Sequence, residues 1–108
     1  MQILILTQGE NMKRIANKDC HLYVENRREF DGSNLYARNI GKLYIVYSYG
    51  THYPMFLFRK GWWYENSDTY SKSTGKHHSQ ARPNYSRNIK ALDTAEMKNI
   101  IHREEYGN

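Results

Sequence analysis

A series of segments that suit β-strands, spaced as in hairpins, constrains the fold more than any other feature of this sequence. The strongest is Leu43–Tyr49, which is rich in β-branched and aromatic residues. Tyr53–Phe58 and Trp62–Glu65 come after it, and a weaker strand, Leu35–Arg38, comes before it. Short connections that each contain a glycine separate the four segments. The pattern predicts an antiparallel meander.

A helical pattern follows at the C-terminal end of the chain. Asp93 is followed three residues later by Glu96, a spacing typical of a capping box. Ala95, Met97 and the pair Ile100-Ile101 then supply one apolar face. We therefore expect a helix from about Thr94 to Glu105 that packs on the sheet.

The segment before the strands allows two interpretations. Apolar residues at helical spacing predict a short helix within Asn17–Glu29, with Asn17 as its cap. A strand through His21–Val24 is the alternative. Further upstream, Gln2–Thr7 suits a short strand or an ordered tail. The fold class that we predict is α+β, with an antiparallel sheet of three to five strands packed against the C-terminal helix and a short N-terminal helix.

The length of 108 residues suits one domain, residues 1–108, that buries its own core. Ten tyrosines against three phenylalanines predict sheet faces that are only half buried, because a Tyr hydroxyl keeps contact with water or a ligand. Trp62 and Trp63 are neighbours on one strand, so one ring should face the core and the other the solvent. We expect the C-terminal helix to bury at least one of them.

Composition also bears on the compartment. The single cysteine, Cys20, excludes an intramolecular disulfide and a zinc site built from several thiolates. The apolar stretch Ile3–Leu6 is too short for a signal peptide, and no segment approaches the length that spans a membrane. We therefore expect a cytoplasmic protein, in a reducing cytosol and without membrane contact.

A polar, basic loop is predicted at residues 67–90. The net charge of +5 favours anionic partners, although it can also serve solubility alone. In this segment cations, which hold phosphates, lie beside aromatic rings, which stack on bases. A polar segment of this length is typical of a functional or a disordered loop. The predicted ligand-binding residues are Tyr64, Tyr70, Lys72, Lys76, His77, His78, Arg82 and Arg87.

No motif for catalysis, a cofactor or a metal ion is present. Ser73–His77 superficially looks like a phosphate loop, but Tyr70 stands where that motif needs its first glycine, and His77 replaces its hydroxyl residue. The adjacent His77 and His78 point apart on either a strand or a helix, so they do not chelate one ion together. Ser48 lacks the pair of flanking glycines of a nucleophile elbow. The sequence predicts a protein that is not an enzyme.

Several short stretches of the chain match a recurrent pattern. They are Gly32–Leu35, Leu43–Pro54, Trp63–Asn66, Tyr70-Ser71, Lys76-His77 and Gln80–Pro83. Through them, roughly residues 17–85 resemble a family of short uncharacterised proteins from bacteriophages and other mobile elements. The resemblance implies no catalytic residues. It implies an accessory protein in the host cytoplasm, of a kind that often blocks host immunity by binding a protein, a guide RNA or a signalling nucleotide.

Three functions are consistent with these observations. The first is a non-enzymatic phage-type accessory protein that binds nucleic acid or a nucleotide through the basic, aromatic loop. The second is an anti-CRISPR-like counter-defence inhibitor that docks on a host defence protein or a ribonucleoprotein through exposed Tyr and Trp side chains. The third is a small nuclease that uses His77 or His78 beside Lys76 and Arg82.

Overall fold

A computed structural model of the protein describes residues 14–48, 53–68, 80–83 and 89–107. In these residues a six-stranded sheet has its strands in chain order. The strands are β1 (Phe30–Asp31), β2 (Leu35–Ile40), β3 (Leu43–Ser48), β4 (Pro54–Arg59), β5 (Trp62–Asn66) and β6 (Ile89–Leu92). The helices are α1 (Cys20–Glu25), which a 3₁₀ turn at Asn17–Asp19 precedes, and α2 (Thr94–His102), which continues as a π-helical turn at Arg103–Gly107. The predicted α+β class, with a helix on either side of the strands in sequence, is confirmed.

Strands β2 to β5 form the predicted antiparallel meander, each pairing with the next. Strand β1, which the sequence did not predict, pairs antiparallel with β2. Two-residue turns join β2 to β3 and β4 to β5. Gly41 opens the first turn with a φ of 58°, and Lys60 and Gly61 have φ of 50° and 82° in the second. Two-residue turns that match the twist of the flanking strands require positive φ at such positions. Because successive strands from β2 to β5 run in opposite directions, both turns lie at the same end of the sheet. We call it the hairpin end.

Strand β6 was not expected from the sequence. It pairs with β5 in parallel, with Trp63 opposite Ile89 and Tyr64 opposite Lys90. Ile89 and Lys90, the last two residues of the predicted loop, belong to this strand. Four residues are too few to show the alternation of a strand in the sequence. The strand forms because the folded chain brings these residues beside β5.

The sheet buries side chains on both faces. One face packs on α1 and holds the larger of two buried clusters, whose members include Val24, Phe30, Val46, Phe56 and Trp63. The other face packs on α2; its cluster contains Leu43, Ile45, Tyr47, Leu57, Met97 and Ile101. We call these the α1 face and the α2 face. A register shift between β3 and β4, at Val46 and Tyr47, places the adjacent Met55 and Phe56 in the same α1-face cluster.

Two expectations about aromatic residues were only partly right. Tyr36 and Tyr64 are half buried as expected, whereas Tyr44, Tyr47 and Tyr53 are at most 4% exposed. Helices on both faces cover them, and burial raises the pKa of Tyr47 and Tyr53 to about 12. Trp63 is buried as expected and Trp62 is exposed, but the cluster around Trp63 lies on the α1 face, away from the C-terminal helix.

The helix predicted near the N-terminus is confirmed as α1, whereas its predicted cap is wrong. Ala16 is the residue that precedes the 3₁₀ turn, and no side chain caps it. The Asn17 amide instead donates to the Ser33 carbonyl at 3.0 Å and accepts from the Ser33 N–H at 3.0 Å. This pair of hydrogen bonds ties the start of the helix to the β1–β2 loop. Gln2–Thr7 lies outside the described residues.

Helix α2 begins as predicted. The Asp93 side chain accepts from the Glu96 N–H at 2.8 Å, and the Glu96 carboxylate accepts from the Asp93 N–H at 2.9 Å, which completes a capping box. At the other end, the Glu104 carboxylate accepts from the Lys42 N–H at 2.7 Å, so the helix reaches the hairpin end. None of the helices that the structure describes has the length and apolar character needed to cross a membrane.

Replacing Met97 by Ala tests the packing of α2 on the sheet. Met97 is fully buried, so Met97→Ala should lower the free energy of unfolding by about 2–5 kcal/mol in urea titrations. The adjacent Lys98 is exposed, and Lys98→Ala should stay within about 0.5 kcal/mol of the parent. Equal effects of the two variants would contradict the assignment of the α2 face.

Candidate functional site

The chain between β5 and β6 contains most of the residues that the sequence analysis selected. We call residues 69–88 the basic connection, because they include four Lys or Arg residues and no Asp or Glu. Tyr70, Lys72, Lys76, His77, His78 and Arg87 lie outside the described residues. The structure describes the remaining two predicted ligand-binding residues, Tyr64 and Arg82.

Arg82 fastens the basic connection to the α1 face. Its guanidinium donates to both carboxylate oxygens of Glu65, at 3.0 and 2.6 Å, and lies 6.0 Å from the centre of the Phe56 ring. The residues on either side of it, Ala81 and Pro83, are buried. A guanidinium has five N–H donors, and the Arg82 side chain is 43% exposed, so it retains donors for a further acceptor.

Tyr64 does not join Arg82 in one site. Glu65 and Tyr64 are consecutive on β5, so their side chains point to opposite faces. Tyr64 packs against the α2-face cluster, whereas Arg82 meets Glu65 on the α1 face. The two described members of the predicted site are therefore separated by the sheet.

Hydrogen bonds around Asn66 fix the residues that directly precede the basic connection. The buried Asn66 amide donates to the Pro54 carbonyl at 2.8 Å and to the Thr94 hydroxyl at 2.9 Å, and its oxygen accepts from the Asp68 N–H at 2.8 Å. The Tyr53 hydroxyl donates to the Asp68 carbonyl. The last described residue before the connection is thus fixed to β4 and to the first turn of α2.

Asp68 uses its carboxylate at the beginning of α2. The Thr94 N–H donates to it at 2.9 Å, and the Thr94 hydroxyl donates as well. These hydrogen bonds stabilise the charged form, so they lower the pKa of Asp68 below its ordinary value. Glu65 and Asp68, the two acids that precede the basic connection, are both engaged in the fold.

A groove on the α1 face runs beside the anchored residues. Its volume is about 470 Å³, and it is lined by Glu65, Asn66, Ser67, Arg82, Ile89 and Ala91. The lining provides hydrogen-bond donors and acceptors together with one paired cation. Among the residues that the structure describes, no group of three or more His, Cys, Asp or Glu side chains could hold a metal ion.

The sequence analysis missed a second group of cations at the hairpin end. The Lys90 ammonium lies 4.5 Å from the centre of the Trp62 ring, and Trp62 is 42% exposed. Trp62 also pairs with Arg59 across the β4–β5 hairpin. The alternation along β5 did indicate that one Trp is exposed, but Lys90 reaches it only through the pairing of β6, which no local pattern shows.

Comparison of the chain with protein-family models, with curated proteins and with solved structures finds no match.

Asn66 offers a test of how the connection is anchored. Asn66→Ala removes three hydrogen bonds and leaves the Pro54 carbonyl without that donor, so the free energy of unfolding should fall by roughly 1–3 kcal/mol. Asn39→Ala is the matched control, because the Asn39 side chain is exposed, and it should change the value by less than about 0.5 kcal/mol. Urea titration of both variants measures the difference, and the anchor is refuted if they match.

The Asp68–Thr94 hydrogen bonds also predict a pH dependence. Because the folded state lowers the pKa of Asp68, its contribution to stability is present above the ordinary value of 3.8 and is lost as pH falls through the folded value. Asp68→Asn should therefore be less stable than the parent at neutral pH, with a gap that narrows on acidification. Urea titrations over a pH series measure this gap, and Glu25→Gln controls for removal of a carboxylate elsewhere.

Proposed function

We propose that the protein is a non-enzymatic binding protein that holds an anionic ligand, nucleic acid or a nucleotide, through the basic connection. The observation that carries this proposal is the distribution of charge around residues 69–88. The connection has no acidic residue of its own, and the two acids just before it are engaged, Glu65 with Arg82 and Asp68 with Thr94. A segment that has four cations and no acidic residue of its own attracts phosphates.

The charge of the rest of the protein supports this assignment. The described residues include twelve Lys or Arg and ten Asp or Glu, which nearly balance. The segments outside them contain four Lys or Arg and one acid, and three of these four cations, Lys72, Lys76 and Arg87, lie in the basic connection. A cation excess concentrated in one segment favours ligand binding over a general role in solubility.

Anchoring of the connection adds a physical advantage. Its first residues follow the Asn66 hydrogen bonds, and Gln80–Pro83 are held against the α1 face by the Arg82–Glu65 salt bridge. Attachment at both places limits the number of conformations open to the segment before binding. The segment therefore loses less conformational entropy when a ligand binds. A smaller entropic cost leaves more of the phosphate interaction available as affinity.

A second candidate is a mobile-element inhibitor that docks on a host defence protein or ribonucleoprotein. It is favoured by three large apolar side chains that are exposed in the described residues, Leu22, Trp62 and Tyr106. Exposed aromatic residues often anchor interfaces. Affinity purification from a nuclease-treated host lysate distinguishes this function: retention of one partner protein supports docking, and loss of every partner after nuclease treatment contradicts it.

Salt-dependent binding is the direct test of the first function. The purified protein is titrated with labelled single-stranded and double-stranded DNA and RNA at about 50 and about 200 mM salt. If Lys72, Lys76 and Arg87 each contact a phosphate, affinity should fall about 20- to 40-fold over this range. Binding that does not depend on salt, or no binding to any of these probes or to nucleotides, would overturn the proposal.

Charge-matched variants locate the contacts. The triple variant Lys72→Ala, Lys76→Ala, Arg87→Ala should weaken binding and reduce the slope of log affinity against log salt by roughly two to three. The control triple variant Arg14→Ala, Lys18→Ala, Lys98→Ala removes the same charge from exposed positions on other elements. An equal loss in both variants would mean that net charge, and not the basic connection, governs binding.

A further inference from the structure

The more exposed indole of the protein lies near cations that form no salt bridge with the carboxylates of the described residues. Trp63 is 1% exposed, whereas Trp62, the other tryptophan of the sequence, is 42% exposed. Arg59, Lys60 and Lys90 lie around Trp62 on β4, the β4–β5 turn and β6, and Arg103 lines a cavity of about 320 Å³ together with Arg59. We call these five residues, 59, 60, 62, 90 and 103, the Trp62 surface.

The sheet explains why these side chains share a surface. Arg59 and Trp62 are register partners, and so are Leu57 and Tyr64, which both pack with the α2-face cluster. Side chains two positions apart on a strand lie on the same face, so Arg59 and Trp62 lie on the α2 face as well. Lys90 is opposite Tyr64, and its ammonium reaches the Trp62 ring.

The electrostatics of the Trp62 surface favours an anion. Within the described part of the chain, Arg59, Lys60, Lys90 and Arg103 take part in no salt bridge. Glu104 lines the same cavity as Arg59 and Arg103, and its carboxylate accepts a hydrogen bond from the Lys42 N–H; the four cations of the surface outnumber this acid. Four cations and one exposed ring provide the two contacts that a nucleic-acid strand offers, phosphate and base.

We propose that the Trp62 surface binds an unpaired base of a single-stranded nucleic acid. The base stacks on the Trp62 indole in place of the Lys90 ammonium, and Lys90, with Arg59 and Arg103, binds the flanking phosphates. This inference rests on the proposed function, and it specifies the ligand: single strands are preferred, because the bases of a duplex are already stacked on one another.

Chain connectivity joins this surface to the basic connection. Strand β6 begins at Ile89, directly after residue 88, and Ile89 is paired with Trp63. The basic connection thus returns to the sheet at the position of the exposed tryptophan. A strand whose phosphates are held by the connection can extend along β6 to place a base on Trp62.

Tryptophan fluorescence tests the stacking directly, because Trp62 and the buried Trp63 are the two indoles of the chain. The probe is a single-stranded oligothymidylate of about twelve nucleotides, and an abasic strand of equal phosphate number is the matched control ligand. The oligothymidylate should quench the emission and the abasic strand should not. In Trp62→Phe, which keeps Trp63, the quenching should disappear while binding is retained.

Affinity measurements complete the test. Trp62→Ala should weaken binding of the oligothymidylate about 5- to 150-fold and leave binding of the abasic strand unchanged. Leu22→Ala removes another exposed apolar side chain, on α1, and should change neither. Equal affinity for the abasic strand, the single strand and a duplex, with no effect of Trp62→Ala, would overturn the inference.

The two proposals fail in different ways. Salt-dependent binding that ignores Trp62 leaves the basic connection as the binding segment and removes the stacking site. Quenching that persists in the Lys72, Lys76, Arg87 triple variant, with unchanged affinity, keeps the stacking site and overturns the role of the connection.

Discussion

The parallel pairing of β6 with β5 is the interaction on which both proposed binding regions of this protein depend. Parallel neighbours cannot be joined by a tight turn, so the chain must travel back along the sheet between Asn66 and Ile89. The cationic segment occupies this crossover. The same pairing places Lys90 at Trp62, and it brings the Leu92 carbonyl to the Ser67 N–H at 2.8 Å, immediately before α2 begins.

Near both ends of this crossover, acidic side chains accept hydrogen bonds from backbone N–H groups and from an arginine side chain. Asp68 and Asp93 bind N–H groups in the first turn of α2, and Glu65 binds Arg82. At the hairpin end, Glu104 binds the Lys42 N–H, and Glu29 binds the Asn39 N–H. Carboxylates used in this way satisfy donors that the fold would otherwise leave without partners.

Helices cover both faces of the sheet, so its edge and its ends are the places left for a ligand. The α1 face buries Trp63 among Tyr44, Phe56 and Phe58, and the α2 face is closed by Met97 and Ile101. Buried tyrosines use their hydroxyls inside the protein: Tyr44 donates to the Arg28 carbonyl at 2.8 Å and Tyr53 to the Asp68 carbonyl. Among the described aromatic residues of the sheet, Trp62 is the most exposed, and it lies at the point where the chain turns from β4 to β5. The proposed contacts for phosphate and base are therefore both next to the last strand pair.

The sequence by itself determined the meander, both helices and the capping box of α2, because alternation, helical spacing and turn residues act over a few neighbouring positions. It also identified the segment in which cations outnumber acids, and the exposure of one tryptophan of the pair. Only the tertiary structure decided that Arg82 binds Glu65, that Tyr64 and Arg82 lie on opposite faces, and that Lys90 meets Trp62. The two contacts join residues 17 and 28 positions apart, through the return of residues 80–83 to the sheet and through the parallel pairing of β6. No local pattern encodes such contacts, because the free energy that favours them comes from burial and pairing that exist only once the sheet has formed.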